Sequence, residues 1–222
     1  AAFIAQEKGH QVTLYEASDK LGGNMRLAAY PPGKGDITNM IRSYIVRCQK
    51  AGVTIKMNQE VTLDLIKEEK PDSVIVASGS RTLILPIEGI DNPAIIHGSD
   101  LLDGKRAAGK KVLVVGGGMV GCETAAFLGE QNHDVTVIEF RDTVGADVIH
   151  EHRVYLMKDF EDYKIKEITG AKVCKFYEDG VEYETADGVR HESRGYDSVI
   201  LSMGFRNYNP LEEKIKDLVP ET

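Results

Sequence analysis

The 222-residue sequence has no tryptophan, and only 7% of its residues are aromatic. Its three cysteines, Cys48, Cys122 and Cys174, stand far apart, with no C-x-x-C pair among them. A disulfide framework, a zinc site and an iron–sulfur cluster are therefore unsupported within this chain. A disulfide-reducing redox enzyme also needs a reactive cysteine pair, and none is visible. Small buried thiols in a reducing cytoplasm are expected instead. Excess positive charge is missing too. Lys and Arg number 27 against 35 Asp and Glu, a net charge of −8, which argues against nucleic acid or an anionic membrane surface as the main partner. No apolar run reaches membrane length, and no secretory leader is recognisable. No Ser/His/Asp or Cys/His arrangement can be picked out. His150 and His152 are two apart on an expected helix; they point to different faces and suit the surface better than one metal ion.

What the sequence does hold is concentrated between Lys110 and Phe140, KKVLVVGGGMVGCETAAFLGEQNHDVTVIEF. Lys111–Val115 is a β-branched apolar run that predicts a strand buried on both faces of a parallel sheet. Gly116, Gly118 and Gly121 follow at G-x-G-x-x-G spacing. Val120, Thr124, Phe127, Leu128 and Gln131 then fall on one face of a helix, and Asp134–Ile138 predicts a second strand that leads into Glu139. The first glycine permits a tight turn, the second lets backbone approach a pyrophosphate, and the third lets helix and strand pack closely. The helix N-terminus favours the anion. Glu139, about 20 residues on, is placed to accept hydrogen bonds from a ribose diol. The series predicts a bound dinucleotide; a Rossmann unit that kept the shape and lost the ligand reads the same way at this stage. The Glu139 carboxylate repels a 2′-phosphate and favours NAD, while Arg141 could offset that repulsion and admit NADP.

A second copy of this unit is recognisable. AFIAQEKGHQVTLYE (Ala2–Glu16) aligns with AFLGEQNHDVTVIE (Ala126–Glu139) with one gap near Gly9. Residue 1 is therefore expected to fall inside the first helix of another dinucleotide domain, whose glycine turn would lie upstream. Between the copies, residues 17–36 are rich in Gly, Pro, Asn and Lys and read as a long loop. There Gly22 and Gly23 would let backbone near a ligand and Lys34 could meet an anion. Asp36 suits an N-cap for a helix with Ile37, Ile41, Ile45 and Cys48 on one face, stopped by Gly52. A short strand, VTIKM, and a short helix ended by Pro71 follow. Ser73–Ser80 predicts a buried strand running into a small-residue turn, Ala77, Ser78 and Gly79, with room for a cofactor. After the central unit, a helix with Ile149, Leu156, Met157 and Phe160 inward leads into a meander with Asp179-Gly180 and Asp187-Gly188 turns. Tyr196–Gly204 is a last buried strand.

A dinucleotide unit over residues 100–205 thus interrupts another. The pattern resembles the two-dinucleotide-binding-domain flavoproteins, and LGGNMRLAAYPPGKGD with VIVASGSRTLILPIEGID narrows it. Together they resemble the C-terminal half of the 2,4-dienoyl-CoA reductase and 2-enoate reductase branch of old-yellow-enzyme-like oxidoreductases. The resemblance implies an α/β fold in which a Rossmann-like NAD(P)-binding domain (100–205) is inserted in a truncated FAD-binding Rossmann-like domain (1–99 and 206–222). It implies that Glu16 binds the FAD adenosine ribose, and that Gly22, Gly23 and Asn24 form the loop beside the FAD, Asn24 standing where the family has Gln. Val61 would belong to the strand that meets the adenine, and Ala77, Ser78 and Gly79 to the turn at the FAD pyrophosphate. Gly116, Gly118, Gly121 and Glu139 would form the NAD(P)H fingerprint, with Met203 and Gly204 at the strand end near the nicotinamide. An N-terminal barrel carrying FMN and a 4Fe-4S cluster, outside this chain, would be the partner that receives electrons from NAD(H) through FAD and reduces an activated C=C bond. FAD binding and activity are expected to be poor in this chain alone, and dinucleotide binding to survive. A module that binds only ADP, as in trimethylamine dehydrogenase, and a flavin subunit of a glutamate-synthase-like complex are the alternatives.

Overall fold

A computed structural model describes residues 1–216 and residue 218, in two compact units. The first unit takes residues 1–29, 34–81 and 207–222; the second takes 30–33 and 82–206. Of the tail assigned from sequence to the outer domain, residues 217 and 219–222 lie outside the described residues.

In the first unit, α1 (Ala2–Glu7), β1 (Thr13–Glu16), α2 (Asn24–Leu27), α3 (Asp36–Ala51), β2 (Thr54–Met57) and α4 (Leu63–Glu69) follow in order. Strands β1 and β2 pair in parallel, with Thr13 opposite Thr54 and Glu16 opposite Met57. Phe3, Cys48 and Val53 bury together against them. The apolar stripe of α3 faces inward as its spacing requires, and Gly52 ends the helix in a left-handed conformation at φ 82°. Asp36, however, is the first helical residue and not the cap, which falls on Gly35. The 17–36 loop is interrupted by the single turn α2. Val61 is not in a strand; it lies just before α4 and packs with Ile66 and Ile215. Residues 73–80 also differ from expectation. Val74 and Val76 join the Ile66–Ile215 cluster, but Ile75 between them is 69% exposed. The run is extended backbone covered on one side only, so it forms no strand before β3 (Ser80–Thr82).

The second unit is built on a five-stranded parallel sheet. Its elements are β4 (Ile96–His97), α5 (Gly98–Leu102), β5 (Lys111–Val115), α6 (Met119–Glu130), β6 (Asp134–Ile138), α7 (His150–Asp162), β7 (Lys166–Ile168), β8 (Lys172–Tyr177), β9 (Gly180–Glu184), β10 (Arg190–Ser193) and β11 (Ser198–Leu201). Strand order in the sheet is β4-β11-β5-β6-β7, and β8–β10 form a separate antiparallel meander. Each apolar strand serves two cores. Val112, Val114 and Ile200 face α6 and α7, while Leu113, Val115 and Leu201 face Phe176 and Val181 of the meander. That two-sided burial is why the strands read as unbroken hydrophobic runs. Residues 82–99 pack here too: Ile90 and Ile95 join the meander-side core and β4 edges the sheet. The compact unit therefore starts earlier than the 100–205 segment outlined from sequence. Leu156 and Phe160 of α7 are buried as expected, but Ile149 is 71% exposed and Val148 fills the inward place. The chain returns to the first unit through β12 (Phe205–Asn207) and ends, among described elements, with α8 (Glu212–Ile215).

Candidate functional site

The sheet order reverses at β5: β6 lies on one side and β11, reached only after the meander, on the other. From β5 the chain goes on through α6 to β6, and from β11 it goes on to β12; the carboxyl ends of strands at such a switch point are where open α/β sheets bind ligands. Gly116 follows β5 there and Ser202, Met203 and Gly204 follow β11. The two ends are close. A Cβ on Gly116 would come within 2.8 Å of the Ser202 carbonyl carbon and 3.1 Å of Met203 Cα, and Gly116 has φ 104°. The first glycine is thus required twice, by turn conformation and by the neighbouring strand. Gly121 has the packing role, since a side chain there would overlap the Gly116 carbonyl. Gly118 caps α6 with an ordinary extended backbone, φ −73° and ψ −177°. A Cβ there would approach only the Asp147 carboxylate, at 3.2 Å from Oδ2. Of the three, Gly118 is the one whose missing side chain faces only a single exposed carboxylate, with no backbone in the way.

Glu139 stands at the end of β6, facing the turn. Its Oε2 accepts from Gly117 N–H at 2.6 Å and its Oε1 from Arg141 N–H at 2.9 Å. Two oxygens offer about four acceptor positions, so a diol can still donate to this carboxylate. The ring of contacts is completed by backbone: Glu139 N–H donates to Ile168 O, Ala171 N–H to Glu139 O and Gly170 N–H to Arg141 O. Cys122 sits beneath the turn, fully buried, with Sγ 3.2 Å from Gly117 O. Burial pushes its thiol up to about 12, with the negative charges of Asp147, Glu167 and Glu139 adding to the effect. It is a packing group, as expected, and not a nucleophile. His150 is exposed; His152 is half-buried, its Nε2 3.4 Å from Oε1 of the buried Glu123. Among the described residues no cluster of His, Cys, Asp or Glu is arranged to hold a metal ion, and no helix is long and apolar enough to cross a membrane.

The remaining sequence-assigned residues are in the first unit. Glu16 ends β1 and Glu139 directly follows β6, and Glu16 Oε1 likewise accepts from the N–H two residues on, that of Ser18, at 2.7 Å. The internal repeat thus extends from sequence to side-chain geometry. Gly22 and Gly23 have φ 114° and 49°, and they turn the chain into α2. Asn24 Nδ2 donates to both the carbonyl and the hydroxyl of Ser80 at 3.0 Å. Ser78 Oγ donates to Tyr208 O, and Tyr208 N–H donates to Gly79 O at 2.9 Å. Sequence reasoning missed two residues at the glycine turn. Asp147 accepts from Met119 N–H at 3.0 Å, and Ser202 has a buried hydroxyl with no hydrogen-bond partner among the described residues. An Asp shortly before α7 reads locally as a cap for that helix; nothing in the sequence says that it serves α6 instead.

Residues 1–218 match the pyridine nucleotide-disulphide oxidoreductase family. The chain belongs to that family. Within it, bilirubin reductase of Mediterraneibacter gnavus is 34% identical over 206 residues, covering 93% of this chain and 32% of its own length. Cinnamate reductase of Clostridium sporogenes is 30% identical, covering 99% of this chain and 33% of its own. Among solved structures, that of a 2-naphthoyl-CoA reductase with 2-naphthoyl-CoA superposes with a TM-score of 0.92 at 32% identity, over 99% of this chain and 33% of the other. The chain spans about a third of the length of these relatives. These relatives place it in the FAD/NAD-binding half of the 2-enoate reductase, old-yellow-enzyme-like branch. Family membership identifies a Rossmann-type, nucleotide-binding oxidoreductase module and implies FAD and NAD(P)H as its cofactors.

Proposed function

We propose that this chain is the electron-input module of an NADH-dependent flavin oxidoreductase that reduces an activated C=C bond in an N-terminal FMN barrel. When bound, NAD(P)H would supply a hydride and FAD would accept it; FMN and a 4Fe-4S cluster would be held by the barrel and not by this chain's residues. The chain's own residues bind and orient. The observation that carries the reading is the Glu139 carboxylate, whose Oε2 accepts from Gly117 N–H at 2.6 Å, within the glycine turn and at the switch point of the sheet. The first turn of α6 presents N–H groups and a positive helix end to a diphosphate. Glu139 accepts from the adenosine ribose and favours NADH over NADPH, with Arg141 exposed two residues on. Met203 and Gly204, which follow β11, are the groups we assign to the nicotinamide end. In the first unit, Glu16, Gly22, Gly23, Asn24 and the Ala77-Ser78-Gly79 turn are the FAD-side groups. Calorimetric titration of this chain with NADH and NADPH tests the reading. NADH is expected to bind and to bind more tightly than NADPH; no heat of binding at millimolar NADH would defeat the proposal.

A further inference from the structure

The glycine turn is held by two carboxylates, and only one belongs to the dinucleotide fingerprint. Asp147, from the loop between β6 and α7, accepts from Met119 N–H at 3.0 Å. Met119 is the first residue of α6. The same carboxylate is the nearest group to the place where a Cβ on Gly118 would stand, at 3.2 and 3.4 Å. The loop that delivers it is anchored on the turn, because Gly145 N–H donates to Gly117 O at 2.7 Å and Val144 and Val148 are buried in the helix-side core. Asp147 itself is exposed. On the other flank of the turn, Ser202 Oγ lies beside Gly98 in a small pocket that Val120 and Gly204 also line. Ser202 is only 7% exposed, and its hydroxyl has no partner among the described residues. A negative charge thus already occupies the helix end where a ligand anion belongs, while a buried donor stands on the opposite flank.

We propose that Asp147 is an internal anion that competes with the diphosphate of a dinucleotide for the first turn of α6, and so sets the affinity of the site. The inference rests on the dinucleotide reading above. One N–H cannot serve both anions at full strength, and like charges sharing a helix end repel. Asp147 must therefore swing away or be tolerated at a cost in affinity. Being exposed on a loop whose buried anchors are Val144 and Val148, it can move without unpacking the core.

The test compares Asp147→Asn with the native chain. The amide keeps a carbonyl oxygen for Met119 N–H and removes the charge. NADH, ADP and adenosine are titrated by calorimetry at low and high salt, and hydrogen exchange of the Met119 amide is followed in parallel. D147N is expected to bind NADH and ADP about three- to tenfold more tightly at low salt, with adenosine unchanged and the gain shrinking at high salt. Protection of the Met119 amide should persist in unliganded D147N. Should D147N fail to fold, Asp147→Ser, a neutral residue of good capping type, gives the same comparison. Unchanged or weaker NADH binding by the variants, with the native chain binding normally, overturns the role of Asp147 and leaves the dinucleotide reading standing. No binding by any of the proteins overturns both.

Discussion

Gly116 and Gly118 are two residues apart and should fail in opposite ways when given a methyl group. At Gly116 the backbone has φ 104°, which an L-residue adopts only with strain, and the new Cβ would lie 2.8 Å from the Ser202 carbonyl carbon. The conformational strain costs about 1–3 kcal/mol. The overlap costs a further ~1–3 kcal/mol, because Ser202 directly follows β11, which is locked to β5 from Ser198–Val112 to Leu201–Val115. Gly116→Ala should therefore lose about 2–6 kcal/mol. At roughly 2–4 °C per kcal/mol for a chain of this size, Tm should fall by at least ~4 °C. At Gly118 φ is −73° and the new Cβ meets only the Asp147 carboxylate at 3.2 Å, an exposed side chain that must shift by a few tenths of an ångström and strain its bond from Met119 N–H. Gly118→Ala should change Tm little, the ~0.4–1 kcal/mol that a less flexible unfolded chain supplies offsetting about as much lost from that bond, yet lose NADH affinity by more than about tenfold as the methyl group intrudes where the diphosphate would approach the turn. Thermal unfolding followed by circular dichroism, with calorimetric NADH titration of both variants, checks the pair. A Gly116→Ala protein melting within ~2 °C of the native chain, or a Gly118→Ala protein falling as far as Gly116→Ala, would refute the division between a folding glycine and a ligand glycine.

Replacing Glu139 by Gln keeps an acceptor for Gly117 N–H but removes the charge; about 1 kcal/mol of the interaction is expected to go, lowering NADH affinity roughly fivefold while narrowing the preference over NADPH, as competitive titration would show. Cys122 should resist Ellman's reagent in the native chain at pH 8 and react only on unfolding, whereas the half-buried Cys174 reacts first; mass spectrometry of the labelled protein distinguishes them. The same burial has a pH consequence. The Cys122 thiol is raised in the folded state from 9.0 to about 12, so its contribution is complete below pH ~9 and is lost as pH rises through the folded value, at most about 4 kcal/mol. Urea unfolding between pH 8 and 11 should show a steeper loss for the native chain than for Cys122→Ala; parallel curves would contradict that assignment.

The central unit was legible in the one-dimensional pattern because its parts are local. Lys111–Val115 and Asp134–Ile138 are β strands and Met119–Glu130 a helix, since a five-residue apolar run and a triple-glycine turn each dictate their own backbone; the face expected to be buried is only partly so, for Cys122, Ala125, Ala126 and Leu128 fill the core while Val120 and Phe127 are half-buried and Gln131 is exposed. Of the two Asp-Gly meander turns, Asp187-Gly188 lies in the β9–β10 loop as read, whereas the first turn falls one residue early, on Glu178 and Asp179, because Gly180 already pairs with Tyr177. Ser73–Ser80 was not, because an apolar run states that burial is available but not on how many sides; only the packing shows Ile75 exposed beside Val74 and Val76. Ile149 and Val148 exchanged places because a helical stripe does not determine the entry angle of α7. Val61 and Asp36 moved by a residue or a few because element ends depend on which neighbour supplies the last hydrogen bond. At the site, the glycines and Glu139 announce themselves through spacing, whereas Asp147 and Ser202 do not. They reach the turn from 28 residues beyond Met119 and from a strand on the other side of the meander, and no local periodicity encodes a meeting that sheet order alone brings about.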